Sequence, residues 1–91
     1  MRFTWDEAKR RANLAKHGLD FKDAWRVFED EVVMLEDDRF DYEEDRYVTI
    51  GVLRNELVSI VHTWEDDTIR LISMRKASAR ERDIYARGQP N

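Results

Sequence analysis

The chain has 91 residues, 42% apolar and 11% aromatic, which suffices for one domain around a modest core and leaves no room for a second. It contains no cysteine, excluding disulfides and thiolate metal sites, and no apolar run approaches the roughly eighteen residues of a membrane helix. The formal charge of -4 speaks against a general polyanion binder, but residues 31–67 hold three cations and twelve anions while residues 68–91 hold six and two.

The opening MRFTWDEAK lacks the pattern of a signal peptide, so a cytoplasmic protein without a membrane partner is expected. Residues 1–5 alternate apolar and polar and predict an edge strand. A first helix follows over residues 6–17, capped by Thr4 or Asp6 and stopped by Gly18. Its apolar positions are small (Ala8, Ala12, Ala15, with Leu14), which predicts close approach to its neighbours. A second helix, capped by Asp20, carries Phe21, Ala24, Trp25 and Phe28 at the spacing of a core-facing stripe and ends near Asp30.

Val32, Val33, Met34 and Leu35 read as a strand. Residues 36–45 then bring seven acids, one arginine and the aromatics Phe40 and Tyr42, the composition of a solvated loop or of a docking surface for a basic partner. Strands are expected over residues 46–53 and 57–64, with turns at Arg54-Asn55-Glu56 and Glu65-Asp66-Asp67, and 89–91 form a frayed end. The order is β-α-α-β-β-β-β-α over a single domain, residues 1–91. It is an α+β fold whose small antiparallel sheet is packed by two N-terminal helices and one C-terminal helix.

The stretch 70–85, RLISMRKASARERDIY, is the most informative. It opens as a strand with Ile69, Leu71, Ser73 and Arg75 on one face and Arg70, Ile72, Met74 and Lys76 on the other. Ser78-Ala79-Arg80-Glu81 is an S-x-x-E capping box that starts a helix. Five cations (Arg70, Arg75, Lys76, Arg80, Arg82) gather at this strand end and first helical turn, with Ser78 and Tyr85 beyond them. The arrangement suits a polyanion, although any one of these charges also fits a solvated strand end.

Two histidines are candidates. Lys16 and His17 precede Gly18, where they complement the helix dipole or contact an anion. If Trp64 pairs with Thr68, His62 lies opposite Arg70, which favours the neutral ring. That would suit a general base, and equally a hydrogen-bonded structural histidine. There is no phosphate-binding loop, dinucleotide fingerprint, zinc motif or nucleophile motif. Cations with a few acid/base candidates are what RNA scission requires, since the 2′-hydroxyl is itself the nucleophile and the protein need only orient, stabilise charge and move protons.

Further residues carry a family resemblance. F-x-W-D-x-x-K from Phe3 to Lys9, Asn13, Lys16-His17-Gly18, F-x-x-A from Phe21 to Ala24, Phe28, Asp30, Arg46, Gly51 and His62-Thr63 stand in the same order as in the BrnT toxins. R-x-I-S-x-R-x-A from Arg70 to Ala77, with Glu81-Arg82 and Tyr85, completes the pattern, and the chain resembles this family over nearly its whole length. The resemblance implies a RelE-like ribonuclease fold and a type II toxin that inhibits translation by cutting mRNA, on the ribosome or off it. It also implies neutralisation by a cognate BrnA-type antitoxin, with operator DNA bound only through that complex.

By the same resemblance Arg75 matches a phosphate-binding arginine and Tyr85 an acid/base tyrosine. The expected catalytic group is His62, Arg75, Arg80 and Tyr85, with Lys16, His17, Arg70 and Lys76 as RNA contacts and no metal or other cofactor. Met74 departs from the family's usual small alanine, and the acidic loop departs from the basic character of RelE-like toxins. The competing reading is a catalytically weak or inactive module that binds a basic protein through residues 36–45.

Overall fold

The computed structural model describes residues 1–38 and 43–88. Its elements are β1 (Arg2–Thr4), α1 (Glu7–His17), a 3₁₀ turn (Phe21–Asp23), α2 (Ala24–Phe28), β2 (Val33–Glu36), β3 (Tyr47–Leu53), β4 (Glu56–Glu65), β5 (Thr68–Lys76) and α3 (Ala79–Gly88). This is the α+β order read from the sequence. Phe40 and Tyr42 of the acidic loop, and the tail 89–91, lie outside the described residues. Among the described residues no helix is long and apolar enough to cross a membrane.

The strands form one sheet in the order β1-β5-β4-β3-β2. All neighbours are antiparallel except the edge pair β1 and β5, which runs parallel because α1 and the meander separate them in the chain. The β3–β4 hairpin turns on Arg54 (φ 47°) and Asn55 (φ 70°), the paired left-handed conformations that match the twist of antiparallel strands. The next turn uses Asp66 and Asp67 alone, so Glu65 pairs with Thr68.

That pairing corrects the expected register. His62 sits opposite Leu71, and Arg70 sits opposite Thr63. A β-bulge follows, because Val61 pairs with Ser73 and leaves Ile72 as an extra residue on β5. Ile69 and Leu71 are buried before the bulge and Met74 after it, so strict alternation fails in between. Arg70, Ser73 and Arg75 consequently share one face of the sheet, whereas regular alternation had separated Arg70 from Arg75.

One face carries the main core. Phe21, Ala24 and Val27 pack on Leu53, Val58, Ile60, Ile69, Leu71 and Met74, with Phe3, Trp5, Leu19, Phe28 and Val32 around them. Val27, rather than the exposed Trp25, completes the stripe of α2. Gly51 allows this packing, since a Cβ there would stand 2.7 Å from Val27 Cγ1 and 3.0 Å from Val32 Cγ1. The opposite face is crossed by α3, whose Glu81 bonds Ser59 between the core residues Val58 and Ile60.

Helix α1 is capped by Asp6, which accepts from Lys9 N at 3.1 Å, and closed by Gly18 at φ 71°. Its alanines are exposed and its one buried residue is Asn13, so the expected small-residue packing face is not what anchors it. Arg10 fastens its start to Glu7 and Asp20, and hydrogen bonding to Arg10 and Trp5 lowers the Glu7 carboxyl to about 2.

Candidate functional site

The end of β5 and the start of α3 enclose a cleft with β2. It is lined by Leu35, Glu36, Asp37, Asp38, Val48, Arg75, Ser78, Arg80, Glu81 and Ile84 and has a volume of about 270 Å³. Two of the expected site residues, Arg75 and Arg80, therefore share one cavity. They do so because the bulge rotates Arg75 onto the α3 face and the capping box fixes the first turn of α3 beside it. In that box Glu81 N donates to Ser78 Oγ at 3.1 Å, and Ser78 N donates to Glu81 Oε1 at 2.8 Å.

Glu81 does more than cap. Arg75 Nη1 donates to its Oε1 at 2.8 Å and Nη2 to its Oε2 at 3.0 Å, a two-pronged ion pair. The fully buried Ser59 hydroxyl donates to Oε2 at 3.0 Å. Burial pushes the Glu81 carboxyl up, but Arg75, the Ser78 N–H and Ser59 outweigh that and hold it below the usual carboxylate range. Arg75 Nη1 also donates to the Lys76 carbonyl at 3.2 Å. Nε–H and the second Nη2–H of Arg75 have no partner among the described residues, and Arg80 has no ion pair among them.

The other expected residues lie elsewhere. His62 is at 0% exposure, inside the main core. Its Nδ1 donates to the Thr63 carbonyl at 2.9 Å, which requires the proton on Nδ1, and Nε2 then accepts from Thr49 Oγ1 at 2.7 Å. Burial pushes its pKa down, partly offset by the bond to Thr63. Burial thus favours the neutral ring expected from the sequence, with desolvation rather than Arg70 as the cause. Both nitrogens are engaged and the ring packs edge-on to Phe28 at 5.3 Å, out of reach of an RNA backbone.

Tyr85 is one turn beyond Glu81 on α3, and its hydroxyl donates to the Glu31 carbonyl at 3.1 Å. Arg70 lies on the same face as Arg75 and is paired with Glu44, whose carboxyl this hydrogen bond lowers. Lys76 is exposed and stands 3.8 Å from Glu56. Lys16 is exposed and His17 half-buried at the end of α1, and neither lines the cleft. Glu36, Asp37 and Asp38 line the same cavity as Arg75 and Arg80.

The residue missed by sequence reasoning is Glu81. Its place in the S-x-x-E motif marked it as a cap, and only the tertiary contact with Arg75 and Ser59 gives it a place in the site.

A family model described as "Ribonuclease toxin, BrnT, of type II toxin-antitoxin system" matches residues 5–81. The matched span contains Arg75, Arg80 and Glu81 and stops short of Tyr85. No curated protein matches the chain.

Proposed function

Since the chain belongs to the BrnT family of ribonuclease toxins of type II toxin–antitoxin systems, we propose that it inhibits translation by cutting RNA in the cleft of Arg75 and Arg80. The carrying observation is that these two arginines meet in one cavity at the junction of β5 and α3. A phosphodiester seated there meets two guanidinium groups, which match phosphate geometry better than any other side chain.

The RNA supplies the nucleophile. Its 2′-hydroxyl oxygen bonds to the adjacent phosphorus, the bond to the 5′-oxygen breaks, and a 2′,3′-cyclic phosphate and a 5′-hydroxyl result. The 2′-hydroxyl proton leaves to water. Tyr85, one turn beyond Glu81 and outside the cleft lining, protonates the departing 5′-oxygen where the strand leaves the cleft, after exchanging its bond to the Glu31 carbonyl for one to that oxygen. Arg75 and Arg80 stabilise the charge that accumulates on phosphorus, usually the largest part of such catalysis. No metal takes part in this scheme. His62 has no role in it, because it is sealed in the core.

Arg70 shares the face of Arg75, so the RNA strand extends toward it when a phosphate displaces Glu44. A BrnA-type antitoxin neutralises the toxin, and any contact with operator DNA runs through that complex. Expression of the chain alone should arrest growth, co-expression of a BrnA-type antitoxin should restore it, and Arg75→Ala/Arg80→Ala should relieve the arrest without the antitoxin. Undiminished arrest by the double variant would remove this cleft from the account.

One observation favours a second reading. The cleft is mixed in charge, with Glu36, Asp37, Asp38 and Glu81 against two arginines, which suits a basic protein partner as well as RNA. A binding module of this kind would leave RNA intact at high protein concentration.

A further inference from the structure

We infer that Glu81, anchored by Ser59 and the Ser78 backbone, is a positioning residue that fixes Arg75 so that its Nε–Nη2 edge stays open to receive a phosphate bidentately. This deepens the ribonuclease reading and rests on it.

A guanidinium carries five N–H groups. Arg75 commits both Nη1 hydrogens, one to the Lys76 carbonyl and one to Glu81 Oε1, and one Nη2 hydrogen to Glu81 Oε2. Among the described residues nothing engages Nε–H or the second Nη2–H, which lie parallel on one edge of the fork and are spaced for two phosphate oxygens. Glu81 therefore occupies the end of the guanidinium and leaves its side edge available, so carboxylate and phosphate need not compete.

The carboxylate is in turn held on both oxygens. Ser78 N–H binds Oε1 at 2.8 Å and Ser59 Oγ–H binds Oε2 at 3.0 Å. Ser59 is fully buried on β4, and its hydroxyl reaches α3 to make this contact. A rigid strand, a capping box and a carboxylate thus fix an arginine that is otherwise a long, flexible side chain, which is the support a charge-stabilising group needs. With its oxygens so engaged, Glu81 acts through Arg75 and does not take the 2′-hydroxyl proton. The charged groups that line the cleft with it are Arg75, Arg80, Glu36, Asp37 and Asp38.

The test compares Glu81→Gln and Ser59→Ala in the full chain, each checked for folding by circular dichroism, using a short single-stranded RNA. Glu81→Gln keeps the size but loses the two-pronged ionic hold, and should lower kcat/KM roughly tenfold or more. Ser59→Ala leaves the ion pair in place and removes one donor to the carboxylate. It should shift the acidic limb of the pH–rate profile to higher pH, a change that a merely structural serine would not produce.

Binding of a non-cleavable 2′-O-methyl oligonucleotide supplies a readout independent of cleavage. The Arg75 Nε–H proton resonance should shift on binding, and affinity should fall about tenfold in Glu81→Gln. Folded variants with wild-type kcat/KM, wild-type pH limb and wild-type oligonucleotide affinity would overturn the inference and leave the ribonuclease reading standing. A wild-type chain that binds the oligonucleotide through Arg75 without cutting RNA would do the reverse.

Discussion

Asn13 grips the backbone of Met74 with both ends of its amide. Its Nδ2 donates to the Met74 carbonyl at 2.8 Å and its Oδ1 accepts from Met74 N at 3.0 Å. Strand β1 pairs with β5 only from Thr68 to Arg70, so beyond it this edge has no neighbouring strand among the described residues, and Asn13 supplies a partner at Met74. A helix is thereby fastened to the sheet by a polar side chain, immediately after the bulge and next to Arg75.

Asn13→Ala should for this reason be among the more destabilising changes in the molecule. It removes three hydrogen bonds, counting the one to the Leu19 carbonyl, and leaves a buried N–H and C=O unpaired. The expected loss is about 3 kcal/mol. Urea unfolding measures it, and a loss under about 1 kcal/mol would show that water replaces the amide at that edge.

His62 gives a pH signature separable from catalysis. Burial lowers its pKa in the folded state below the ordinary value of 6.5, so beneath that pH the unfolded chain takes up a proton the folded chain refuses. The unfolding free energy should therefore fall on acidification from about pH 6.5 down to the folded pKa, and His62→Gln should flatten that slope. RNA cleavage by a folded His62→Gln chain should stay within about threefold of wild type. A larger loss with unchanged folding would return His62 to the chemistry.

Elements marked by local signals are legible in the sequence, and features fixed by tertiary contacts are not. The alternation in β3 and β4, the box at Ser78 and the stop at Gly18 are local signals, and each element they mark is present. The bulge at Ile72 has no such signal, because Leu71-Ile72-Ser73 reads as ordinary strand, and one extra residue moves every later side chain to the other face. Glu65-Asp66-Asp67 has the composition of a three-residue turn, but the turn takes only Asp66, at φ 55°, and Asp67, which moves His62 off Arg70. Ala8, Ala12 and Ala15 looked like a packing stripe, while the anchor proved to be a polar residue whose partner is 61 positions away. The arginines of the site were legible as a cluster. Their convergence and their link to Glu81 depend on tertiary contacts that spacing does not encode.

Salt dependence should report how many phosphates the face engages. If Arg70, Arg75 and Arg80 each meet one, the affinity of a single-stranded 2′-O-methyl oligonucleotide should fall with a log–log slope of about −2. Arg75→Ala/Arg80→Ala should reduce that slope to roughly −0.7. A slope unchanged by the double substitution would place the phosphates elsewhere on the surface.

Cleavage itself is the most direct measurement. Purified wild-type chain, incubated in EDTA with a labelled single-stranded RNA, should generate fragments ending in 2′,3′-cyclic phosphate and beginning with 5′-hydroxyl. A folded Arg75→Ala/Arg80→Ala chain should cut at least about a hundredfold more slowly. RNA left intact by the wild type, or cut equally well by the double variant, would contradict the assignment of this cleft as a metal-independent nuclease site.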